Sequence, residues 1–294
     1  MDRKKDRRGD SRVLPAEATP GNIPRPDFCG TRKDAAGLSA VPSRDGTYTK
    51  FKAPGLSGVV AETGSDGAFD PVPLLEMPED GSAVRKRGNT VQAWVCGPWF
   101  VKRIRHGNCW KAFRHLFEPA RPMIALRAGK RLAEIGVPTP RVLAALRRYR
   151  HVLPQYDYLV TEALPPSAVF ADKLPLTKEL AESLTALLAK LHAAGIEHGD
   201  ANLRNFYRDE TGTFGVIDLD ACRMNTSPLP RRRRARELAR LASSFAKVAA
   251  ERGMEDPPQD IAGFFAELYV SCAKIEADSL IYRKRFTHLA ERKR

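Results

Sequence analysis

The stretch His198-Gly199-Asp200-Ala201-Asn202-Leu203-Arg204-Asn205, followed by Val216-Ile217-Asp218-Leu219-Asp220, decides the fold of this 294-residue chain. Asp200 and Asn205 lie five positions apart, and Asp218 follows thirteen positions after Asn205, at the end of a short apolar run. One loop thus carries a carboxylate and an amide, and the next hairpin carries a second carboxylate. Because magnesium prefers oxygen ligands, such groups can converge on one metal–phosphate complex.

This spacing is typical of kinase active sites. A kinase loop of the form H-x-D-x-x-x-x-N supplies a carboxylate that faces the acceptor hydroxyl and an amide that binds magnesium, and an aspartate on the following hairpin holds the metal at the ATP phosphates. On this pattern Asp200 is the candidate catalytic residue, and Asn205 and Asp218 are candidate ligands of the metal and its nucleotide. The sequence therefore predicts a kinase that uses ATP and Mg2+.

Three neighbouring residues refine this prediction. In an extended segment Asp220 would point to the same side as Asp218, as an outer partner of the metal or a substrate contact, and a solvated carboxylate is an equally good interpretation. His198 fits a structural role, packing in the loop and bonding to backbone. Asn202 stands where many protein kinases carry lysine, which disfavours a protein substrate and favours a small molecule or a glycan.

The nucleotide also needs binding residues outside this loop. Lys102, in Phe100-Val101-Lys102-Arg103, is the candidate for the ATP phosphates, because the apolar residues before it indicate a buried strand. Arg103 and Arg105 are nearby competitors. Glu162 lies near the end of a second buried-looking strand, over 158–164, that leads into a Pro-Pro linker. It is a further candidate cofactor-binding residue.

Two features expected beside Lys102 are missing from the sequence. No G-x-G-x-x-G precedes the lysine, and only Arg87-Gly88-Asn89-Thr90 could form a turn over a nucleotide. The following helix also lacks an obvious glutamate to pair with the lysine. Glu118 and Glu134 are both candidates, and the sequence does not choose between them.

The order of elements predicts an α+β, two-lobed protein-kinase-like fold. Residues 83–165 are expected to form a small N-lobe, with three antiparallel strands, one main helix from Ile124 to Ile135 and a further strand. Residues 166–294 are expected to form a larger, mainly helical C-lobe. We expect a disordered basic tail over 1–45 and an irregular extension over 46–82, because polar, proline and glycine residues dominate there.

The helical lobe has clear local signals. Thr177 is a suitable N-cap for a helix that ends at Gly195. Leucines at helical spacing indicate its buried face: Leu180, Leu184, Leu187, Leu188 and Leu191. A short strand over 214–217 then delivers Asp218, and two more helical patterns cover 234–252 and 259–277.

Charge and composition restrict the partners. The formal net charge is +14, which favours an anionic partner. The run Arg231-Arg232-Arg233-Arg234 begins a solvated basic helix or contacts anionic headgroups, since guanidinium groups pair well with phosphate. Nucleic acid is not expected, because no aromatic interleaving or recognised RNA- or DNA-binding module accompanies the charge.

Several classes of protein are disfavoured. No apolar run approaches the 18 residues of a membrane span, and the basic N-terminus has no apolar core behind it, so neither a transmembrane helix nor a signal peptide is predicted. The five cysteines include no C-x-x-C pair, which disfavours a zinc site or disulfide framework and fits a reducing cytoplasm.

Together with Gly136-Val137-Pro138-Thr139-Pro140, the segments around Lys102, Asp200 and Asp218 resemble the bacterial lipopolysaccharide kinase family, which includes the Kdo kinases and core-heptose kinases. The resemblance covers roughly residues 83–250. It implies ATP-dependent phosphorylation of a sugar hydroxyl, on Kdo or core heptose, of an anionic glycolipid, the lipopolysaccharide core. It also implies a cytoplasmic location, with peripheral contact at the inner face of the inner membrane.

Three other functions remain open at this point. A small-molecule phosphotransferase of the aminoglycoside or choline kinase kind shares the H-G-D sequence and the metal-binding aspartate. An atypical protein kinase would phosphorylate polypeptide despite Asn202. A pseudokinase scaffold fits the missing glycine loop, although Asp200, Asn205 and Asp218 are all in place.

Overall fold

The computed structural model describes residues 47–63, 67–78, 83–107, 113, 116, 118–253 and 260–273. The predicted tail over 1–45 lies outside these residues, as does the end of the last helical pattern. Within the described part, no helix is both long enough and apolar enough to cross a membrane.

The described strands and helices are named in chain order. The strands are β1 (Tyr48–Ala53), β2 (Leu56–Thr63), β3 (Gly67–Ala68), β4 (Val84–Arg87), β5 (Val91–Cys96), β6 (Trp99–Arg105), β7 (Val142–Arg150), β8 (Leu153–Glu162), β9 (Val169–Phe170), β10 (Ile196–Glu197), β11 (Phe206–Arg208), β12 (Phe214–Val216) and β13 (Arg223–Met224). The α-helices are α1 (Arg121–Glu134), α2 (Lys178–Ala193), α3 (Arg231–Glu251) and α4 (Ile261–Ala273).

An eight-stranded antiparallel sheet dominates the first half of the chain. Its order is β1-β2-β7-β8-β6-β5-β4, with β3 added to β2. The three consecutive strands expected between residues 84 and 104 are present as β4, β5 and β6, and the predicted helix is present as α1. These predictions are confirmed. The sheet followed by a helical half is the α+β, two-lobed kinase-like arrangement that the element order indicated.

The prediction of irregular structure over 46–82 is wrong for the described residues. Strands β1 and β2 form a hairpin there, and β2 pairs with β7, so the main sheet begins at Tyr48. The glycines in this segment predicted irregular structure, but in the protein they form the hairpin turn and allow close contact between strands. Gly55 turns the hairpin at φ +66°, and a Cβ on Gly58 would lie 2.1 Å from the carbonyl oxygen of Ala145.

The helical half follows its local sequence signals closely. Thr177 caps α2 by accepting a hydrogen bond from the backbone N–H of Leu180 at 3.2 Å, and the five predicted leucines are all buried. The expected helices near 234–252 and 259–277 are present as α3 and α4. The buried residues of α1, α2, α3 and α4 join one continuous core that also contacts β7 and β8. Helix α1 is the member of this core that packs against β7 and β8, and the helices of the second half pack against one another.

Replacing Gly58 with alanine tests the close approach of β2 to β7. The new methyl group would collide with backbone, so we expect the free energy of unfolding to fall by about 1–3 kcal/mol, measured by chemical denaturation. The control is Gly129→Ala in α1, where the nearest atom to the added Cβ is 4.0 Å away. That change should stabilise the protein by up to about 1 kcal/mol. Equal stabilities of the two variants would contradict the β2–β7 packing.

Candidate active site

The loop that carries Asp200 is held by a buried glutamate of α3. Glu237 is fully buried, and its two carboxylate oxygens accept the backbone N–H groups of His198 and Gly199, both at 2.7 Å. Arg240, one turn further along α3, donates to the carbonyl oxygen of Gly199. Charge-assisted bonds in a water-poor environment are strong, so the start of the loop is fixed to the helix core.

A histidine and a tyrosine complete the environment of Glu237. Nε2 of His192 lies 3.4 Å from Glu237, and Nδ1 of His192 lies 2.7 Å from the hydroxyl of Tyr269. Burial lowers the pKa of His192. Burial also tends to raise the pKa of Glu237, but the contacts with His192 and His198 together outweigh it and the pKa is lowered. An ionised Glu237 can accept only, so neutral His192 donates from Nε2 and accepts the tyrosine hydroxyl proton at Nδ1.

Within the loop, Asn205 and Asp200 are directly bonded. Nδ2 of Asn205 donates to the carbonyl oxygen of Asp200 at 2.8 Å and to its carboxylate at 3.1 Å. With the amide nitrogen turned to Asp200, the amide oxygen of Asn205 faces away as a ligand for a cation. Asp200 itself is exposed, whereas Asn205 is buried. An incoming hydroxyl can therefore reach the carboxylate.

Two hydrogen bonds to the backbone of Ile217 join this loop to the hairpin that carries Asp218. The N–H of Ile217 donates to the carbonyl oxygen of Asn205 at 2.9 Å, and Nε2 of His198 donates to the carbonyl oxygen of Ile217 at 3.0 Å. Nδ1 of His198 accepts the backbone N–H of Asp200 at 3.3 Å. These bonds agree with a structural role for His198. Asp218 follows in the left-handed region at φ +64°, an uncommon conformation for a residue other than glycine.

Lys102 reaches this hairpin from the sheet. Its Nζ contacts Oδ1 of Asp218 and lies 3.1 Å from Oδ2 of Asp220, and its side chain is only 13% exposed. Burial tends to lower the pKa of Lys102, but the two carboxylates outweigh it and the pKa is raised. The competing Arg103 instead binds Gln92 at 2.9 Å and stacks on Trp94. Lys102 is thus the cation of β6 that contacts the Asp218 hairpin.

The structure corrects the interpretation of Asp220. Residues 219–221 form a 3-10 turn and not an extended segment, and Asp220 is buried against Lys102 and not solvated. Burial raises the pKa of Asp220, and the neighbouring charge of Asp218 adds to this. For Asp218 burial acts in the same direction, but Lys102 outweighs it and holds the pKa below its ordinary value.

The glutamates considered from sequence lie elsewhere. Glu134 pairs with Arg131 at 2.6 Å on the surface, and Glu118 is exposed, with its carbonyl oxygen 3.4 Å from Arg147. Glu162 ends β8, where its N–H donates to Arg141 and its carbonyl oxygen accepts the hydroxyl of Thr161. Its cofactor-binding role remains a prediction.

Sequence reasoning missed Glu237 and Arg240, which hold the loop. One signal was present: Glu237 falls among the apolar residues of α3, next to Leu238 and one turn before Leu241. A carboxylate at such a position is rarely solvated and needs buried partners. Nothing in the local pattern pointed to loop amides as those partners, because the loop lies almost 40 residues earlier in the chain.

The arginine run does not act as one unit. Arg233 lies 3.4 Å from Glu197 and from Asn225, so it ties the start of α3 to β10. Arg231 and Arg232 are exposed. The surface-facing charge at this helix start is therefore concentrated on two of the four arginines.

The donor groups fit a magnesium–nucleotide complex. Across the described ranges, no cluster of three or more His, Cys, Asp or Glu side chains is arranged to hold a metal ion. Magnesium does not require such a cluster, because it keeps several waters and is commonly bound by one or two carboxylates together with substrate phosphates. The Asp218 carboxylate and the Asn205 amide oxygen are suitable donors. Lys102 beside them suits the phosphates.

The fold and this set of residues define a kinase-like phosphotransferase. The model of the "Lipopolysaccharide kinase (Kdo/WaaP) family" matches residues 82–268. The chain therefore belongs to the lipopolysaccharide kinase (Kdo/WaaP) family, as the resemblance seen in the sequence implied. This family consists of kinases, so the chain is classed as a kinase.

Curated relatives carry the name 3-deoxy-D-manno-octulosonic acid kinase. The protein of Xanthomonas campestris pv. campestris (strain B100) is 32% identical over 143 residues, which is 48% of this chain and 56% of that protein. The protein of Vibrio vulnificus (strain CMCP6) is 32% identical over 96 residues, which is 32% of this chain and 40% of that protein. The chain thus spans about half the length of the curated relatives it matches.

Solved structures of WbdD show a more distant likeness. A co-crystal structure of WbdD with the kinase inhibitor LY294002 matches 70% of this chain and 44% of that chain, with 16% identity and a TM-score of 0.42. A structure described as the bifunctional kinase-methyltransferase WbdD matches 67% of this chain and 47% of that chain, with 17% identity and a TM-score of 0.37.

The lowered pKa of His192 predicts a loss of stability in mild acid. Below pH 6.5, the ordinary pKa of histidine, His192 is protonated in the unfolded chain but stays neutral in the folded chain. This difference persists until the pH falls to the lower pKa of the folded state. The free energy of unfolding should then fall by up to about 1.4 kcal/mol per pH unit in that window. His192→Gln should flatten this slope, measured by urea denaturation from pH 7.5 to 5, whereas the exposed control His151→Gln should not. Identical slopes would contradict a buried, neutral His192.

Proposed function

We propose that this protein is an ATP- and magnesium-dependent kinase that phosphorylates a sugar hydroxyl of a lipopolysaccharide-type glycolipid, on Kdo or core heptose. The observation that carries the proposal is the contact of Lys102 with Asp218. The residue before Asp218, Ile217, is hydrogen-bonded to the loop that carries Asp200 and Asn205. Family membership supports the acceptor class.

Asp200 is the proposed catalytic residue. Its exposed carboxylate would accept the hydrogen bond of the acceptor hydroxyl and hold the oxygen in line for attack. Asn205 restrains that carboxylate from the protein side, at 3.1 Å. Orientation supplies much of the catalysis in phosphoryl transfer, so Asp200 need not fully deprotonate the hydroxyl before the attack.

Asn205 and Asp218 are the proposed metal ligands, and Lys102 is the proposed contact to the phosphates. Magnesium held by Asn205 and Asp218 would supply positive charge that offsets the negative charge of the phosphates. The pKa of Asp218 is lowered although the side chain is partly desolvated, so the carboxylate is ionised at neutral pH and ready to bind a cation. Lys102 has a raised pKa and stays protonated, which a phosphate contact needs.

Glu162 remains the candidate contact at the other end of the nucleotide. It is the last residue of β8, whose neighbour β6 carries Lys102, and the connector to the helical half begins directly after it. A nucleotide whose phosphates lie at Lys102 can extend along the sheet toward this connector. The turn after β4, at Gly88, is the candidate cover of the phosphates.

The acceptor class can be tested by transfer of radiolabelled phosphate from ATP. Purified lipopolysaccharide core, with and without its Kdo phosphate, is compared with soluble aminoglycosides, choline and a peptide mixture. We expect magnesium-dependent labelling of the glycolipid at least about a hundredfold above the soluble acceptors, a gap of about 2.7 kcal/mol. Preferential labelling of a soluble acceptor or a peptide would replace the glycolipid in this proposal, and no transfer to any acceptor would favour a scaffold.

Contact with an anionic membrane surface is the second part of the proposal. Exposed arginines near a membrane each contribute about 1 kcal/mol of attraction to anionic lipid. Changing Arg231 and Arg232 to serine should therefore weaken sedimentation with vesicles of anionic phospholipid by about tenfold or more at low salt. The control changes Arg127 and Arg131 of α1 to serine, which removes the same net charge from another surface. Equal losses in both variants would indicate non-specific attraction by net charge.

A further inference from the structure

The ion pair of Lys102 contains a carboxylate to which the proposed chemistry assigns no part. Besides contacting Asp218, the ammonium group lies 3.1 Å from Oδ2 of Asp220. The two acids differ in accessibility: the side chain of Asp218 is 37% exposed and that of Asp220 is 8% exposed. A ligand that approaches from solvent can reach the first, whereas the second is buried beside Lys102.

Helix α1 does not supply a carboxylate to this site. Its sequence contains one acidic residue, Glu134, which is in the last turn and pairs with Arg131 on the surface. The helix instead begins with Arg121, whose Nη1 lies 4.0 Å from Oδ2 of Asp220. The first turn of α1 therefore approaches the site with a positive charge, and Asp220 lies between that charge and Lys102.

The turn that carries Asp220 is rigidly built. Leu219 and Cys222 on either side belong to the buried core, and the N–H of Cys222 donates to the carbonyl oxygen of Leu219 at 3.1 Å. Gly199 packs so closely on this turn that a Cβ there would lie 2.4 Å from the carbonyl oxygen of Ala221. The position of Asp220 thus does not depend on where the carboxylate of Asp218 points.

We propose that Asp220 is the positioning residue of Lys102, holding its ammonium group in the cleft in place of a glutamate from the N-lobe helix. In kinases that ion pair joins a strand lysine to a helix glutamate and must be formed for the phosphates to be bound. Here the partner comes from the turn after the metal-binding aspartate. This inference rests on the proposed function.

With this arrangement, one carboxylate holds Lys102 and the other is available to bind the metal. If Asp218 were the sole partner of Lys102, the ammonium group and the metal would compete for one carboxylate. With Asp220 as a second, buried partner, Lys102 keeps its position when Asp218 binds the metal. Arg121 shares the same carboxylate, so the first turn of α1 is linked to the nucleotide site through Asp220.

A double-mutant cycle on Lys102→Met and Asp220→Asn tests the proposal, with the KM for ATP, the kcat and the magnesium concentration at half-maximal rate as readouts. Asp220→Asn alone should raise the KM for ATP by about tenfold or more, as expected for loss of a charged hydrogen bond, and change the magnesium requirement by less than about twofold. In the Lys102→Met background the same change should add less than about twofold, because its effect passes through the lysine. The control Glu134→Gln removes one negative charge from the surface of α1 and should change nothing.

Three results would overturn the inference. One is an unchanged KM for ATP in Asp220→Asn. Another is a double variant whose rise in KM for ATP equals the product of the rises in the two single variants. The third is a large shift in the magnesium requirement, which would make Asp220 a metal ligand. If Asp220→Asn does not fold, as judged by thermal unfolding, Asp220→Ser, which also removes the carboxylate, enters the same cycle with the same criteria. A wild-type KM for ATP in Lys102→Met would instead contradict the proposed function itself.

Discussion

The hydrogen bonds from two loop amides to the buried carboxylate of Glu237 are the interaction on which the site depends. They fix His198 and Gly199 against α3. From that fixed start the loop presents Asp200 and Asn205, and it bonds to the hairpin through Ile217. Breaking these bonds would leave a buried carboxylate and two amides without partners, which costs free energy, so the bonds hold the loop in one position. The geometry of the candidate site is thereby set by the buried contacts of α3.

The site joins this core to the sheet at one place. Lys102 of β6 crosses to Asp218 and Asp220, and Arg121 at the start of α1 approaches the same turn. Cations and anions therefore alternate from Arg121 through Asp220 and Lys102 to Asp218, an arrangement that suits a ligand with both phosphates and a metal. The exposed arginines at the start of α3 add positive charge outside the cleft, as an anionic acceptor would require.

Much of the architecture could be predicted from local pattern. The leucine face of α2, its Thr177 cap and the meander around Lys102 follow from periodicity and turn residues, and the structure has all of them. The β1–β2 hairpin could not be found this way, because Gly58 is required by a backbone contact with Ala145, which is distant in sequence. The burial of Asp220 was missed for a related reason: a 3-10 turn changed the direction of a side chain that an extended segment would have aimed elsewhere.

The most direct measurement compares nucleotide binding with phosphate transfer in Asp200→Asn and Asp218→Asn, using Glu210→Gln in the β11–β12 turn as the control. Both replacements keep the side-chain shape, so changes report on charge. The account predicts that Asp200→Asn binds magnesium–ATP as the wild type does but loses transfer by at least about a hundredfold, within the usual range for a positioned acid–base group. Asp218→Asn should lose magnesium-dependent binding itself. Wild-type transfer by Asp200→Asn, or wild-type magnesium–ATP binding by Asp218→Asn, would contradict the assignment of these carboxylates.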